Sequence, residues 1–124
     1  MVIIVKRIYD HPAAEDGYRV LVERLWPRGM SKENAHIDLW LREAGASPSL
    51  RRWFGHDPGK WETFRQRYFM ELHDRPWVVQ QLREIIKREG KVTFVFSAHD
   101  ERYNNAIALK QFLETGQIQE LAAR

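Results

Sequence analysis

Cysteine is absent from this chain of 124 residues. This absence excludes disulfide bonds, thiolate metal sites and a cysteine nucleophile. The chain also lacks any run approaching the roughly 18 consecutive apolar residues that a membrane-spanning helix requires. The apolar run at residues 2–5 is shorter than the core of a signal peptide, and charged residues follow it. We therefore expect a cytoplasmic protein that does not enter a membrane.

The common motifs for binding metals and nucleotides are missing as well. The 5 histidines show no His-x-x-x-His spacing and are not joined by a dense carboxylate cluster. The sequence has no Gly-x-Gly-x-x-Gly or Walker-type loop and no Gly-x-Ser-x-Gly nucleophile elbow. We therefore expect no metal and no other cofactor.

Neither sign of charge is in large excess. The 20 lysines and arginines stand against 17 aspartates and glutamates, which gives a formal net charge of +3. A dedicated nucleic-acid-binding protein usually carries a more concentrated basic stripe. Basic and acidic residues also alternate in runs such as 83–84 and 87–89, which is typical of solvated helix faces.

The hydrophobic pattern predicts a mixture of strands and helices. Runs rich in β-branched residues predict strands at 3–8, 19–24, 37–41 and 92–96. Start and stop signals predict helices that begin at Ser31, Ser47, Asp57 and Pro76 and a last one after Asp100. Glycines are expected to end three of them, at Gly55, Gly90 and Gly116. The stripe of Trp61, Phe64, Tyr68 and Leu72 is assigned to the core and not to a platform that stacks bases.

This order of elements predicts an α/β fold. The length and the hydrophobic content of 44% are ordinary for one domain, spanning residues 1–124. We expect a single compact domain of two or three layers, with a small, at least partly parallel sheet flanked by helices. The continuous apolar run Val92–Phe96 is typical of a strand covered on both faces.

The segment Arg24-Leu25-Trp26-Pro27-Arg28-Gly29 is the strongest indication of a binding site. It follows the apolar run at 20–22, and Pro27 cannot donate to a strand ladder, so the strand must end here. Ligands of α/β proteins gather at the carboxyl ends of strands. Arg24 and Arg28 carry guanidinium groups that match phosphate or carboxylate geometry, which predicts an anion-binding role for both.

A second group of polar residues follows the last predicted strand. His99 is a candidate catalytic residue for proton transfer, with Asp100 to orient it; alternatively, Asp100 caps the next helix and His99 is an exposed turn residue. Asn104 and Asn105 are poor helix formers, and they are expected either to bind a ligand or to hold a neighbouring loop. His56 follows Gly55, which allows a turn that faces the imidazole into a cleft, so His56 is a further candidate catalytic residue.

Several segments, taken together, resemble the YeaO-like family of domains of unknown function. The matching stretches are residues 6–10, 16–29, 39–41, 53–58 and 98–105. They are spread over nearly the whole length of the chain, and the Arg-Leu-Trp-Pro-Arg-Gly element is specific. The resemblance implies a compact α/β domain and carries over no established activity. Longer relatives have a Cys-His-Arg element where this chain has Tyr103-Asn104-Asn105, so the resemblance implies no thiol-dependent activity.

Three functional hypotheses follow. The first is a small enzyme, or a ligand-binding domain descended from one, that takes a compact phosphate- or carboxylate-bearing partner. The second is a nucleic-acid-binding or regulatory module, which requires a common patch of Arg7, Arg51, Arg52, Arg65 and Arg67. The third is an interaction protein in which arginines lock loops by pairing with Asp10, Asp16 or Glu23. The sequence leaves the oligomeric state open.

Overall fold

The computed structural model describes the backbone of residues 2–122 and the side chains of residues 2–115. Its strands are β1 (Val2–Arg7), β2 (Tyr18–Leu21), β3 (Leu39–Trp40) and β4 (Lys91–Phe96). They form one sheet of 4 strands in the order β1-β4-β2-β3, and every pair is parallel. The predicted α/β fold with a parallel sheet is therefore confirmed.

Helices and short 3-10 turns connect the strands. The helices are α1 (Lys32–Ala35), α2 (Pro48–Phe54), α3 (Trp61–His73), α4 (Pro76–Glu89) and α5 (Asn105–Ala122). The 3-10 turns are Ala14–Asp16, Arg42–Ala44 and Pro58–Lys60. Among the residues that the structure describes, no helix is both long and apolar enough to cross a membrane.

Both faces of the sheet are covered. On one face, Val92, Phe94 and Phe96 join the larger core cluster with the buried sides of α2 to α5. On the other face, Val95 and Leu21 pack with Ala35 of α1 in a smaller cluster. The aromatic stripe of α3 lies in the larger cluster, as its spacing predicts. The continuous apolar character of β4 thus follows from burial on both faces.

Most predicted helix boundaries are confirmed by their caps. The side chain of Ser31 accepts a hydrogen bond from the Asn34 N–H, and that of Ser47 accepts one from the Leu50 N–H. Gly55 ends α2 in the left-handed region, with φ of 53°. Asp57 caps the 3-10 turn that leads into α3.

Some predicted element ends are wrong. Strand β2 ends at Leu21 and not at Arg24. The carbonyl oxygen of Glu23 accepts a hydrogen bond from the Trp40 side chain, and its carboxylate accepts one from the Ser97 N–H, so Glu23 does not continue the backbone pairing of the sheet. Strand β3 is limited to Leu39–Trp40 within the predicted range 37–41. The last helix does not end at Gly116 but extends to Ala122. A glycine inside a helix costs only about 1 kcal/mol relative to alanine, so it does not by itself end one.

The sheet topology decides where the connecting loops meet. Strand β4 lies between β1 and β2, with Phe94 in register with both Val5 and Val20. All four strands are parallel, so their carboxyl ends share one edge of the sheet. The loops after β2 and β4, which carry most of the predicted site residues, are therefore neighbours although they are far apart in sequence.

Candidate functional site

A cavity of about 700 Å³ lies at the carboxyl edge of the sheet. Its walls come from the loops that follow β2, β3 and β4 and from α2 and α3. Every residue predicted from the sequence as a candidate site residue lines it: Arg24, Arg28, His56, His99, Asp100, Asn104 and Asn105. The structure thus brings these side chains to one cavity. Their functional roles remain predictions.

Among the described residues, only one nitrogen of the Arg24 guanidinium forms a hydrogen bond. Its Nε donates a hydrogen bond to the carbonyl oxygen of Gly45 (3.1 Å). Its Nη2 is fully buried and has no hydrogen-bond partner among the described residues. Buried polar groups in folded proteins nearly always have a partner, so an unpaired guanidinium nitrogen beside a cavity requires an explanation.

The electrostatic surroundings of Arg24 leave its charge poorly compensated. Burial lowers the pKa of Arg24 from its ordinary value, and the positive charge of Arg75 lowers that pKa further. Glu43 and Glu71 oppose this shift, but neither forms an ion pair with Arg24. The carboxylate of Glu71 instead accepts hydrogen bonds from the N–H and the hydroxyl of Ser47.

Further arginines lie at the outer part of the cavity. Arg28, Arg51 and Arg52 line it and are exposed. The hydroxyl of Tyr9 donates to the carbonyl oxygen of Arg28 (2.9 Å), which ties the Arg24–Gly29 loop to the end of β1. Arg51 and Arg52, which the sequence analysis named only for the nucleic-acid hypothesis, thus lie at the same cavity as Arg24.

Glu23 and Ser97 join the ends of β2 and β4 inside this site. The Glu23 carboxylate accepts hydrogen bonds from the Ser97 N–H (2.9 Å) and the Ser97 hydroxyl (2.7 Å). Both residues line the cavity. Sequence reasoning missed this contact because the two residues are 74 positions apart; only the position of each at a strand end hinted at it.

His99 and Asp100 do not form the pair that their adjacency suggests. The Asp100 carboxylate accepts hydrogen bonds from the N–H groups of Arg102 and Tyr103, and these bonds lower the pKa of Asp100. His99 is exposed, and its Nδ1 lies 3.4 Å from a terminal nitrogen of Arg7. Arg7 is itself anchored, since its Nε donates to the carbonyl oxygen of Ala98 (2.9 Å).

His56 lines the cavity together with Asp100. It has a left-handed backbone, with φ of 57°, directly after the left-handed Gly55. Its charge adds to the lowering of the pKa of Asp100, after the larger effects of the backbone hydrogen bonds and of Arg102. The turn at Gly55 therefore directs His56 to the cleft, in line with its sequence context.

The two asparagines mainly hold the loop after β4. Asn104, and not Asp100, caps α5, because its side-chain oxygen accepts from the Ile107 N–H (2.9 Å) while its amide donates to the Asp100 carbonyl (2.9 Å). The amide of Asn105 donates to the carbonyl oxygen of Val22 (2.6 Å). Both residues therefore tie α5 to the strand ends and shape the cavity wall.

Arg19 pairs with Asp16, as the locking hypothesis requires of an arginine, but among the described residues the two arginines of the candidate site, Arg24 and Arg28, form no such pair. Asp16 pairs with both Lys6 (3.1 Å) and Arg19 (2.6 Å). No group of three or more histidine or carboxylate side chains within residues 2–115 is placed to hold a metal ion.

Comparison with known proteins identifies the family. A family model described as "Inactive DUF488-N3 subclade" matches residues 2–123. The chain belongs to this family. The uncharacterized protein YeaO of Escherichia coli K12 is 36% identical over 115 residues, which cover 93% of this chain and 99% of YeaO.

Two mycobacterial proteins are also similar. The uncharacterized proteins Mb3100c of Mycobacterium bovis and Rv3073c of Mycobacterium tuberculosis are each 34% identical over 109 residues, covering 88% of this chain and 91% of the relative. No solved structure matches the chain. The YeaO-like resemblance of the sequence motifs is thereby confirmed.

Proposed function

We propose that this protein is a ligand-binding domain whose cavity holds a compact anion that bears a phosphate or carboxylate group. The observation that carries the proposal is the buried Nη2 of Arg24, which has no hydrogen-bond partner among the described residues. A guanidinium presents a planar fork of donors that matches the oxygens of such anions. An anion at the inner end of the cavity would pair with this fork and offset its cost of burial.

The outer part of the cavity favours the same class of ligand. The exposed Arg28, Arg51 and Arg52 raise the local concentration of anions. The nearby carboxylates of Glu23 and Asp100 already accept hydrogen bonds from the protein. Their charges are thus partly compensated, and the arginines remain available to a ligand.

Binding without turnover fits the chain better than catalysis. The matching family is described as inactive, and the chain has no cysteine. The Ser97 hydroxyl donates to Glu23, and the lowered pKa of Asp100 makes it a poor proton donor near neutral pH. Under this proposal His56, His99 and Asp100 shape the rim of a binding site and do not transfer protons.

Replacing Arg24 tests the proposal. We expect inorganic phosphate, ribose 5-phosphate or adenosine 5′-monophosphate to raise the thermal midpoint of the wild type. A ligand concentration 100-fold above the Kd should increase the free energy of unfolding by about 2.7 kcal/mol. R24Q should lose this stabilisation. Without ligand its stability should stay within about 1 kcal/mol of the wild type, because the side chain gives up only the Gly45 hydrogen bond.

The matched control is R88Q, since Arg88 is exposed and lies outside the cavity. It should retain the full response to phosphate compounds. The proposal is wrong if no phosphate compound or simple carboxylate stabilises the wild type, or if R24Q responds as strongly as R88Q. A loss of several kcal/mol in ligand-free R24Q would instead favour a structural lock.

A further inference from the structure

Aromatic side chains line the same cavity as the arginines. They are Tyr9, Trp26, Phe54, Phe64 and Tyr103. A site for a bare inorganic ion needs only charged and polar groups, whereas sites for organic ligands combine apolar walls with a few fixed polar groups. The aromatic walls therefore indicate the chemistry of the uncharged part of the ligand.

Part of this aromatic lining is a rigid, preformed wall. The rings of Phe54 and Phe64 are stacked, with centroids 4.4 Å apart and planes inclined by 25°. Trp61 packs behind them, 6.1 Å from Phe54 and 5.4 Å from Tyr103. Because these rings hold one another in place, a planar ligand that packs against this wall would lose little further side-chain entropy on binding.

The aromatic wall adjoins the unpaired guanidinium. Phe64 stacks on Tyr68 with a centroid distance of 5.8 Å. The hydroxyl of Tyr68 donates to the carbonyl oxygen of Ala44, and the Nε of Arg24 donates to that of the adjacent Gly45, so the phenol and the guanidinium are neighbours. Arg24 and Phe64 both line the cavity, whose walls are therefore partly cationic and partly aromatic.

We propose that the ligand carries a planar aromatic ring beside its phosphate or carboxylate group. This inference rests on the anion-binding function proposed above. The anionic group would pair with Arg24, and the ring would lie against the half-buried Tyr103, which packs on Trp61. Phe54 and Phe64, only 6% and 2% exposed, support this wall from the core. A volume of about 700 Å³ falls in the range of sites for organic molecules and far exceeds the needs of an inorganic ion.

Calorimetric titration with four probes tests this inference. Inorganic phosphate and ribose 5-phosphate supply the anion alone, while phenyl phosphate and adenosine 5′-monophosphate add an aromatic ring. We expect the best aromatic probe to bind about tenfold tighter than ribose 5-phosphate, the effect of stacking one ring. A preference for phenyl phosphate indicates a simple aryl ligand, and one for adenosine 5′-monophosphate indicates a nucleotide.

Variants of the wall separate its effect from that of the anion site. Y103L should lose most of the aromatic preference and keep the wild-type affinity for ribose 5-phosphate. Tyr103 is only half-buried, so this variant should fold. F69L is the matched control, because Phe69 packs against Phe112 outside the cavity.

The outcomes distinguish the two proposals. If ribose 5-phosphate binds as tightly as both aromatic probes, the inference about the ring is wrong while the anion site stands. The same holds if Y103L keeps the aromatic preference. If none of the four probes and no simple carboxylate binds, the proposed function fails and this inference fails with it.

Discussion

Two partly or fully buried arginines show how differently one residue type is used in this protein. Arg19 bonds at three positions, to Asp16 (2.6 Å) and to the carbonyl oxygens of Ala35 (2.9 Å) and His36 (3.0 Å). Among the described residues, Arg24 bonds only through Nε, to Gly45. Arg19 is therefore a structural residue that fixes the start of β2, whereas Arg24 retains donors for another molecule.

The buried carboxylate of Asp16 should be essential for stability. It receives hydrogen bonds from Lys6, Arg19 and the Ala13 N–H. D16N should lower the free energy of unfolding by about 3 kcal/mol, because it leaves the buried charge of Arg19 without its counterion. Urea denaturation measures this loss. D10N is the control, since Asp10 is exposed and should change stability by less than about 0.5 kcal/mol.

The same carboxylate gives a pH dependence of known sign. Burial raises the pKa of Asp16, but the hydrogen bonds from Ala13, Lys6 and Arg19 together lower it below its ordinary value. Its stabilising effect is therefore present above the unfolded pKa of about 3.9 and is lost as the pH falls through the lower folded pKa. The free energy of unfolding of D16N should therefore fall less steeply at acid pH than that of the wild type. The same pH dependence in both proteins would contradict this assignment.

Individual elements depend on a few backbone positions, of which Gly17 at the start of β2 is the most constrained. Its φ is +66°, a region that favours glycine. A Cβ there would lie 2.5 Å from the carbonyl oxygen of Lys91, the first residue of β4. The start of β2 can thus approach β4 only without a side chain at this position.

Substituting alanine at Gly17 should therefore separate these strands locally. We expect G17A to lose about 3 kcal/mol of stability, from backbone strain together with a clash against a fixed carbonyl. G90A is the control, because Gly90 also has a positive φ, of +77°, but has no atom within 4 Å of the added Cβ. It should lose about 1 kcal/mol, from strain alone. If G17A and G90A lose the same free energy of unfolding in chemical denaturation, the clash at Gly17 does not contribute.

At the scale of the whole molecule, Arg51 and Arg52 line the cavity, whereas the other three arginines of the nucleic-acid hypothesis do not. Arg65 donates to Gln111 of α5 and Glu62, whereas Arg67 stacks on Trp53 of α2. Arg7 is tied to the loop after β4. Only part of the patch that a nucleic-acid-binding module requires is thus gathered near the cavity.

This distribution predicts weak contact with nucleic acid. We expect no retardation of a 30-base-pair DNA duplex in a native gel at about 50 mM salt, a condition that exaggerates electrostatic binding. The R24Q variant should behave in the same way. Retardation by the wild type that disappears steeply with added salt would revive the nucleic-acid hypothesis.

Local sequence signals predicted much of the fold. The caps at Ser31, Ser47 and Asp57 act within a few residues, so their side chains mark helix starts without knowledge of the rest of the molecule. The β-branched run of β4 likewise indicated a doubly covered strand. The errors fall where distant partners decide, as at the early end of β2, which the contact between Glu23 and Ser97 determines.

The same division holds for the site. By itself the sequence determined which residue types stand at strand ends and turns, because strand endings and cap positions are local properties; it thereby indicated Arg24, Arg28, His56 and His99. Only the tertiary structure decided that they share one cavity, because the parallel order β1-β4-β2-β3 brings distant loops to one edge. Only packing decided that the Arg19 guanidinium has three partners and that of Arg24 a single one among the described residues, since a guanidinium's partners come from every element that surrounds it.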